Sequence, residues 1–466
     1  SADTIADGNM WIVPPEFWML SMGSLDKKYN GDAYDAESFV SYLGRVSYSY
    51  ADKYLATVSF RADASSKFRM GYKWGYFPAV GLGWIISDEN FFAPLQKNIS
   101  YLKLKASWGM LGNDKVGNYL AYPTINPRGQ QVVVNGVVYY LPTTNYGVDE
   151  SLRWEIVQGF DAGIESRMFN NRLALELGYY TKTTDNLLAW VPGSAGVTVP
   201  TVTNAGALSN SGIEFMVSWE DNIDDFRYGV NINGSTLKNK VLRLGNNDAD
   251  IVSGTYHITR VGHSVGALYG YVQEGIFQNQ TEINNAPTTS WITRPGDIRY
   301  EDLSGDGKIN TSDRTFIGNT IPSFVYGFGF NAGYKNVDMI VEFNGVTGNK
   351  ILNLKKLPSF TQFNYYTTTL DRWHGEGTSN EHAILDNSRG HNFLSSTNLL
   401  EDGSYIRVRN IQIGYNMPSV VSGFLGIQRL RVYANAQNPL TFKSNSGYTP
   451  EIGGSILSGS IDNGST

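Results

Sequence analysis

The sequence contains no cysteine. That absence removes disulfide frameworks, thiol catalysis, iron–sulfur clusters and cysteine zinc sites together. Histidine is scarce, five in 466 residues, and the five do not fall at metal-ligand spacings. Charge is thin as well: Lys+Arg 37 against Asp+Glu 43 gives a net −6, with 17% of residues charged, below the roughly 25% of soluble globular chains. A nucleic-acid binder would carry a clustered basic excess, so that class is excluded. No stretch approaches the roughly 18 consecutive apolar residues of a transmembrane helix. Ser1 opens a segment with no initiator Met, no basic region and no apolar region, as expected of a mature chain or an internal piece of a longer one. What is abundant is glycine, at 50, and aromatic residues, at Trp 10, Tyr 29 and Phe 22. The length would suit about three ordinary domains or one large barrel. Two classes remain, a soluble all-β protein and a membrane β-barrel.

Alternation with period 2 runs the length of the chain. In 154–165 the residues Trp154, Ile156, Phe160, Ala162 and Ile164 share one face, and Glu155, Gly159, Asp161, Gly163 and Glu165 the other, with Val157 as its exception. In 226–233 Phe226, Tyr228, Val230 and Ile232 oppose Arg227, Gly229, Asn231 and Asn233, and 430–437 repeats the pattern. About 13 such two-faced strands can be counted. A membrane strand needs about 9–11 tilted residues, and 39–50, 53–64, 101–112, 153–168, 172–186, 322–334 and 403–417 all reach that length. Tyr48, Tyr50, Tyr54, Trp74, Trp84, Tyr179, Tyr180, Trp219, Tyr334 and Tyr415 lie towards strand ends, where an amphipathic ring prefers the headgroup region.

Connections come in two sizes. Short ones include 169–171 and 335–336; long polar ones cover 113–150, 189–210, 239–267, 278–320 and 350–402. Short turns at one end and long loops at the other describe an outer-membrane barrel. The expected fold is therefore all-β, a transmembrane antiparallel β-barrel over 39–466, with 1–38 as a further extracellular loop. Within 405–415 the apolar phase shifts after Val408, which predicts a β-bulge near Arg409–Asn410.

One motif carries sharp chemistry. Residues 302–313 read DLSGDGKINTSD and fit a calcium-loop template: Asp302, Ser304 and Asp306 at positions 1, 3 and 5, Gly307 at the sharp turn, Lys308 through its carbonyl, Asn310 at 9 and Asp313 at 12. Hard cations require six to eight oxygens, and closely spaced side chains on a tight loop provide them. The expectation is a structural calcium ion with no organic cofactor; a solvated turn rich in Asn, Asp, Gly and Ser is the competing reading. Asp371, Arg372, Trp373, His374 and Glu376 read as a loop, not a catalytic cluster, and Asp88–Glu89 as a poor acid/base pair, so no catalytic residue is assigned. Trp291, Phe360, Phe363, Tyr365, Tyr366 and Trp373 fall in the expected loops. Aromatic faces there suit sugars, peptide side chains or a lid, or else simply cover the barrel mouth.

Several ordered segments resemble the SusC/RagA group of TonB-dependent outer-membrane transporters of Bacteroidota. They are SYLGRVSYSYADKYLATVSFRADASSKF (41–68), WGYFPAVGLGWIISDENFF (74–92), LKLKASWGMLGND (102–114), the Trp-Glu strand and hairpin of 153–188, PGDIRYEDLSGDGKINTSDRTFIGNTIPSFVYGFGFNAGYKNVDMIVEFNGVTGNKI (295–351), SYIRVRNIQIGYNMP (404–418) and RLRVYANAQNPLTF (429–442). The resemblance implies the middle and late part of a roughly 22-stranded barrel, with the plug and TonB box outside this chain. It also implies active import of a large nutrient, an oligosaccharide or oligopeptide, in the cell outer membrane among its lipids. The implied partners are a SusD-like lid lipoprotein and the TonB–ExbB–ExbD complex. A passive porin or adhesin barrel and a soluble β-rich glycan-binding protein are the alternatives.

Overall fold

The computed structural model describes residues 36–122, 126–144, 146–191, 199–245, 248–359, 365–424, 426–447, 449–455 and 457–462. Most of the expected N-terminal loop, and Phe360 and Phe363, lie outside the described residues. One 13-stranded antiparallel sheet organises the chain. Its strands are β1 (Phe39–Tyr50), β2 (Tyr54–Ser65), β3 (Trp74–Ile85), β4 (Ile99–Asn113), β5 (Glu155–Met168), β6 (Leu173–Asp185), β7 (Gly206–Ile223), β8 (Phe226–Thr236), β9 (Lys238–Leu244), β10 (Phe324–Tyr334), β11 (Val337–Thr347), β12 (Tyr405–Asn416) and β13 (Arg431–Lys443). They pair in chain order, except that β9 continues the line of β8 and pairs with the start of β7. The sheet does not close, and β1 and β13 each leave an edge open.

The registers separate the two faces. One row across β2 to β7 reads Tyr54, Trp84, Leu104, Ile164, Leu177, Phe215. The next row reads Leu55, Gly83, Lys105, Gly163, Gly178, Glu214. An apolar outer face and a polar, glycine-rich inner face fit a strand with lipid on one side and lumen on the other. The outer face carries large exposed side chains, such as Tyr42, Val46, Tyr48 and Leu82.

The turns also sort by end. Strand pairs β1–β2, β5–β6, β7–β8 and β10–β11 are joined at one end by 51–53, 169–172, 224–225 and 335–336. Phe169, Asn170 and Asn171 all take positive φ, which lets a short connection reverse the chain. At this end Tyr50, Tyr54 and Trp84 form an outward aromatic row, with Tyr50–Tyr54 and Tyr54–Trp84 centroids 6.3 Å apart. Glu89 clasps it, accepting from Tyr54 Oη at 2.6 Å and from Trp84 Nε1 and Lys53 Nζ at 3.2 Å. Tyr180 departs from the expected girdle. Its register with Asp161 puts it on the inner face, where its hydroxyl donates to the Thr236 carbonyl. The bulge in β12 is real: Phe343 pairs Val408 while Glu342 pairs Asn410, leaving Arg409 as the extra residue.

At the opposite end lie the long connections. The loops expected at 239–267 and 278–320 are parts of one folded excursion between β8 and β10. The loop expected at 113–150 contains a hairpin, Asn126–Val134 with Val137–Thr143, turned at Asn135–Gly136, both with positive φ. The loop expected at 189–210 is shorter, because β7 already begins at Gly206. Trp154 and Glu155 stitch these loops together at the top of β5. The Trp154 ring is buried against Phe68, Phe77, Leu152, Ala121 and Val202, and its Nε1 donates to the Lys73 carbonyl at 2.9 Å. Glu155 accepts from Asn113 Nδ2 at 2.9 Å and from the Leu188 N–H at 3.0 Å.

Candidate functional site

The excursions 237–323 and 348–404, with the segment after β13, fold together over the long-loop end. Short strands tie them. Ala267–Gly270 sits between His257–Thr259 and Thr315–Gly318, and Lys350–Asn353 pairs with both Leu400–Asp402 and Ile461–Asp462. A small core fills the space between them: Tyr271, Ile276, Ile298, Tyr300, Ile309 and Ala383 are buried, with Trp291, Trp373 and Leu394 packed against them.

Beside this core sits a polar node that no local sequence pattern announced. Asp297 is fully buried. Its carboxylate accepts from Arg389 Nη1 at 2.9 Å, Asn392 Nδ2 at 3.0 Å and the Arg294 N–H at 2.7 Å. His391 Nε2 lies 2.9 Å from Oδ2, close enough for an ion pair but off the axis of a hydrogen bond. Burial alone would raise the Asp297 pKa; its neighbours His391 and Arg389 and the Arg294 N–H outweigh burial and hold it below the usual carboxylate range. Tyr300 Oη donates to the His391 carbonyl at 2.7 Å, and Asn392 Oδ1 accepts from the Ile298 N–H. One excursion is thereby clamped to the other. The only sequence signal was the Pro-Gly-Asp turn at 295–297.

The loop 302–313 is ordered by its own side chains. Asp302 accepts from the N–H groups of Gly305 and Gly307, both at 2.8 Å, and from Ser304 Oγ at 3.2 Å. Asp306 accepts from the Lys308 N–H at 2.8 Å. Asn310 caps a short 3₁₀ turn, Thr311–Asp313, in a reciprocal capping box. Asp313 is buried, with Oδ1 accepting from the Ser304 N–H at 3.0 Å and Oδ2 from the Asn310 N–H at 2.8 Å. Burial would raise its pKa, and those two N–H groups overcome that and lower it. The donor types suit a hard cation. The carboxylates are turned to backbone N–H groups, and among the described residues no three His, Cys, Asp or Glu side chains gather where they could hold a metal. Backbone amide exchange over 302–313 reads the site: exchange that slows in millimolar calcium and not in chelator marks a bound cation, and equal exchange in both marks a polar turn held by its own side chains.

The aromatic residues singled out above divide. Trp291 stacks on His391, with centroids 5.5 Å apart and planes 9° apart, and Trp373 Nε1 donates to Gln278 Oε1 at 3.1 Å. Both are core members of the loop assembly, not open platforms. Tyr365 and Tyr366 are exposed on its surface, with Lys355 Nζ 5.8 Å from the Tyr366 ring centre. In the 371–376 segment His374 Nδ1 faces the Arg372 carbonyl, and Glu376 accepts from Asn279 Nδ2.

A two-faced meander with short turns at one end and a folded loop cap at the other defines an outer-membrane β-barrel wall. The chain belongs to the TonB-dependent receptor-like β-barrel family, whose model matches residues 15–354. Among curated relatives, TonB-dependent receptor P3 of Formosa agariphila is 33% identical over 428 residues, covering 88% of this chain and 42% of the relative. TonB-dependent receptor SusC of Bacteroides thetaiotaomicron is 27% identical over 439 residues, covering 89% of this chain and 41% of SusC. The solved RagAB peptide transporter superposes with a TM-score of 0.76 at 21% identity, over 96% of this chain and 48% of that one. The chain thus spans less than half the length of these relatives. Membership places it in the outer membrane and sets aside the soluble reading.

Proposed function

We propose that the whole protein, of which this chain forms part of the barrel wall, actively imports a large nutrient across the outer membrane, driven by TonB–ExbB–ExbD. A SusD-like surface lipoprotein would close the capped end, and the protein would act without catalysis of its own. The observation that carries this reading is the union of a polar inner wall with an ordered loop cap. The wall bears a concavity of about 800 Å³ lined by Lys103, Lys105, Asp161, Glu176, Glu214 and Asn233 among others. A passive pore needs only a wetted lumen; a folded cap held by a buried clamp supports a gated path. The nutrient is an oligosaccharide or an oligopeptide, the second favoured by the RagAB likeness, since that protein is described as a peptide transporter. The test is uptake by cells carrying the whole transporter and its lipoprotein, with and without a functional TonB. Uptake should vanish when TonB is lost. Uptake that continues at the same rate without TonB would establish the passive porin instead.

A further inference from the structure

The inner wall changes chemistry partway across the sheet. From β2 to β7 it carries charges, including Arg61 and Asp63 paired at 2.8 Å, and Lys105 and Glu165 paired at 2.5 Å. From β8 to β13 the same face carries amides. The registers align Asn231 and Asn233 on β8, Asn331 on β10, Asn344 on β11, Gln412 on β12 and Asn435 on β13. Glu342 is the carboxylate in their midst. The remaining charges of this half sit at its ends, where Arg407 pairs with Glu451 and Arg431 with Asp338.

Glycines alternate with the amides and let them lie flat. A Cβ on Gly327 would come within 2.9 Å of Asn233 Oδ1, one on Gly329 within 2.4 Å of Asn231 Nδ2, and one on Gly229 within 2.5 Å of Asn331 Oδ1. The amide side chains therefore cover neighbouring backbone instead of standing into the lumen, and the wall is set back. Asn231, Asn233, Asn331 and Asn435 are nonetheless exposed. Behind this wall, on the outward face of β10, stand Tyr326, Phe328 and Phe330, so the alternation Gly-Phe-Gly-Phe-Asn serves both faces.

We propose that the imported substrate passes along this amide-and-glycine wall of β8–β13, and that it is uncharged over most of its length and dense in hydrogen-bond donors and acceptors. This rests on the importer reading. Each amide offers a carbonyl acceptor and an NH₂ donor. A row of them can hand hydroxyl or peptide groups from one to the next without holding any in a deep well. Conduction needs such weak, repeated sites. Fixed ion pairs such as Arg61–Asp63 and Lys105–Glu165 suit a stationary surface, which favours the amide wall as the path over the charged wall of β2–β7. Oligosaccharide hydroxyls and peptide-backbone amides share the required chemistry.

This chain carries no cysteine of its own, so each introduced thiol is read against the labelling of the unsubstituted transporter. Asn435→Cys on β13 and Ser107→Cys on β4 both place a thiol on the inner face at exposed positions. They are introduced into the whole transporter with its lipoprotein in cells and probed with a membrane-impermeant maleimide. Asn331→Cys on β10 serves if Asn435→Cys does not reach the outer membrane. Labelling on the amide wall should rise several-fold in energised cells and fall under saturating nutrient, while Ser107→Cys stays constant. Protection by malto-oligosaccharides but not by a tryptic casein digest assigns the carbohydrate source, and the reverse assigns the peptide source. Equal labelling at the two walls, or a nutrient-dependent change at Ser107→Cys alone with uptake intact, overturns the proposal. Loss of energy-dependent uptake of both nutrients by the unsubstituted transporter would instead sink the importer reading, and this inference with it.

Discussion

Asp297→Ala should release the two large excursions from each other while leaving the strands of the sheet paired. The carboxylate it removes is fully buried and is the acceptor for Arg389, Asn392 and the Arg294 N–H. Without it, the Arg389 guanidinium, whose side chain is 13% exposed, loses its buried counter-charge. Removing one partner of a buried pair costs about 3–5 kcal/mol, because the other charge is left uncompensated. Arg389 keeps Asp386 Oδ2 at 3.0 Å and the Pro295 carbonyl at 2.9 Å, so the lower end of that range applies. The loss should appear as local opening, with faster amide exchange and protease cleavage in 294–300 and 386–394, and unchanged protection in β10 and β11. Asp297→Asn separates charge from shape: it keeps the size and one acceptor, and should lose part of the effect. Unchanged exchange in Asp297→Ala would show that the apolar core around Tyr271 and Ile298 holds the excursions alone.

The same node sets a pH dependence whose sign is fixed. Asp297 has a folded pKa below its unfolded value of about 3.9. A depressed carboxylate contributes stability that is fully present above the unfolded value and is lost as pH falls through the folded one. Cap protection should therefore be flat from neutral pH down to about 5 and decline below about 4. In Asp297→Asn that acid-side decline should shrink.

The strands were legible because alternation is a local signal. Lys103, Lys105, Glu165 and Glu176 on one face, against Leu104, Ile164 and Leu177 on the other, need no knowledge of partners. Even the bulge at Arg409 could be read from the phase change after Val408. The cap was not legible, because its defining contacts join residues far apart: Asp297 meets Arg389 and Asn392 across more than ninety positions, and no spacing rule links them. The 302–313 loop shows how one spacing serves two readings. Its residues match a calcium template, and the same oxygens accept from the loop's own backbone N–H groups, those of Asp313 from Ser304 and Asn310. The hairpin at 126–143 lies inside the loop expected at 113–150, and its Val-Val-Val-Asn-Gly-Val-Val carries a strong short-range hairpin signal.

Trp154→Ala should disorder the other half of the long-loop end. Trp154 closes a core with Phe68 at 5.4 Å and Phe77 at 5.5 Å between ring centres, and reaches Phe39 at 6.2 Å. Three connections meet on it: the 66–73 turn through Phe68 and the Lys73 carbonyl, the 114–154 loop through Ala121 and Leu152, and the 186–205 loop through Val202. Truncating a buried Trp costs about 3–5 kcal/mol, from lost burial and from the cavity left behind. The cavity cannot collapse easily here, because Phe77 already abuts Gly75 and Gly112, where a Cβ would lie 2.4 and 2.0 Å from its ring. Those glycines hold the ring at its present height, so it is not free to drop into the space vacated. Trp154→Phe separates the two contributions. It retains most of the apolar contact and loses the Nε1 bond to Lys73, and should recover most of the stability but leave the 66–73 turn with faster exchange. Glu155 lies one residue on and binds Asn113 and the Leu188 N–H from its own side chain, so β4 and β5 should remain paired in both variants. Amide exchange over 66–73, 114–122 and 199–205 reads the effect. Wild-type protection in all three segments of Trp154→Ala would mean that the loops are held by their hydrogen bonds and not by this core.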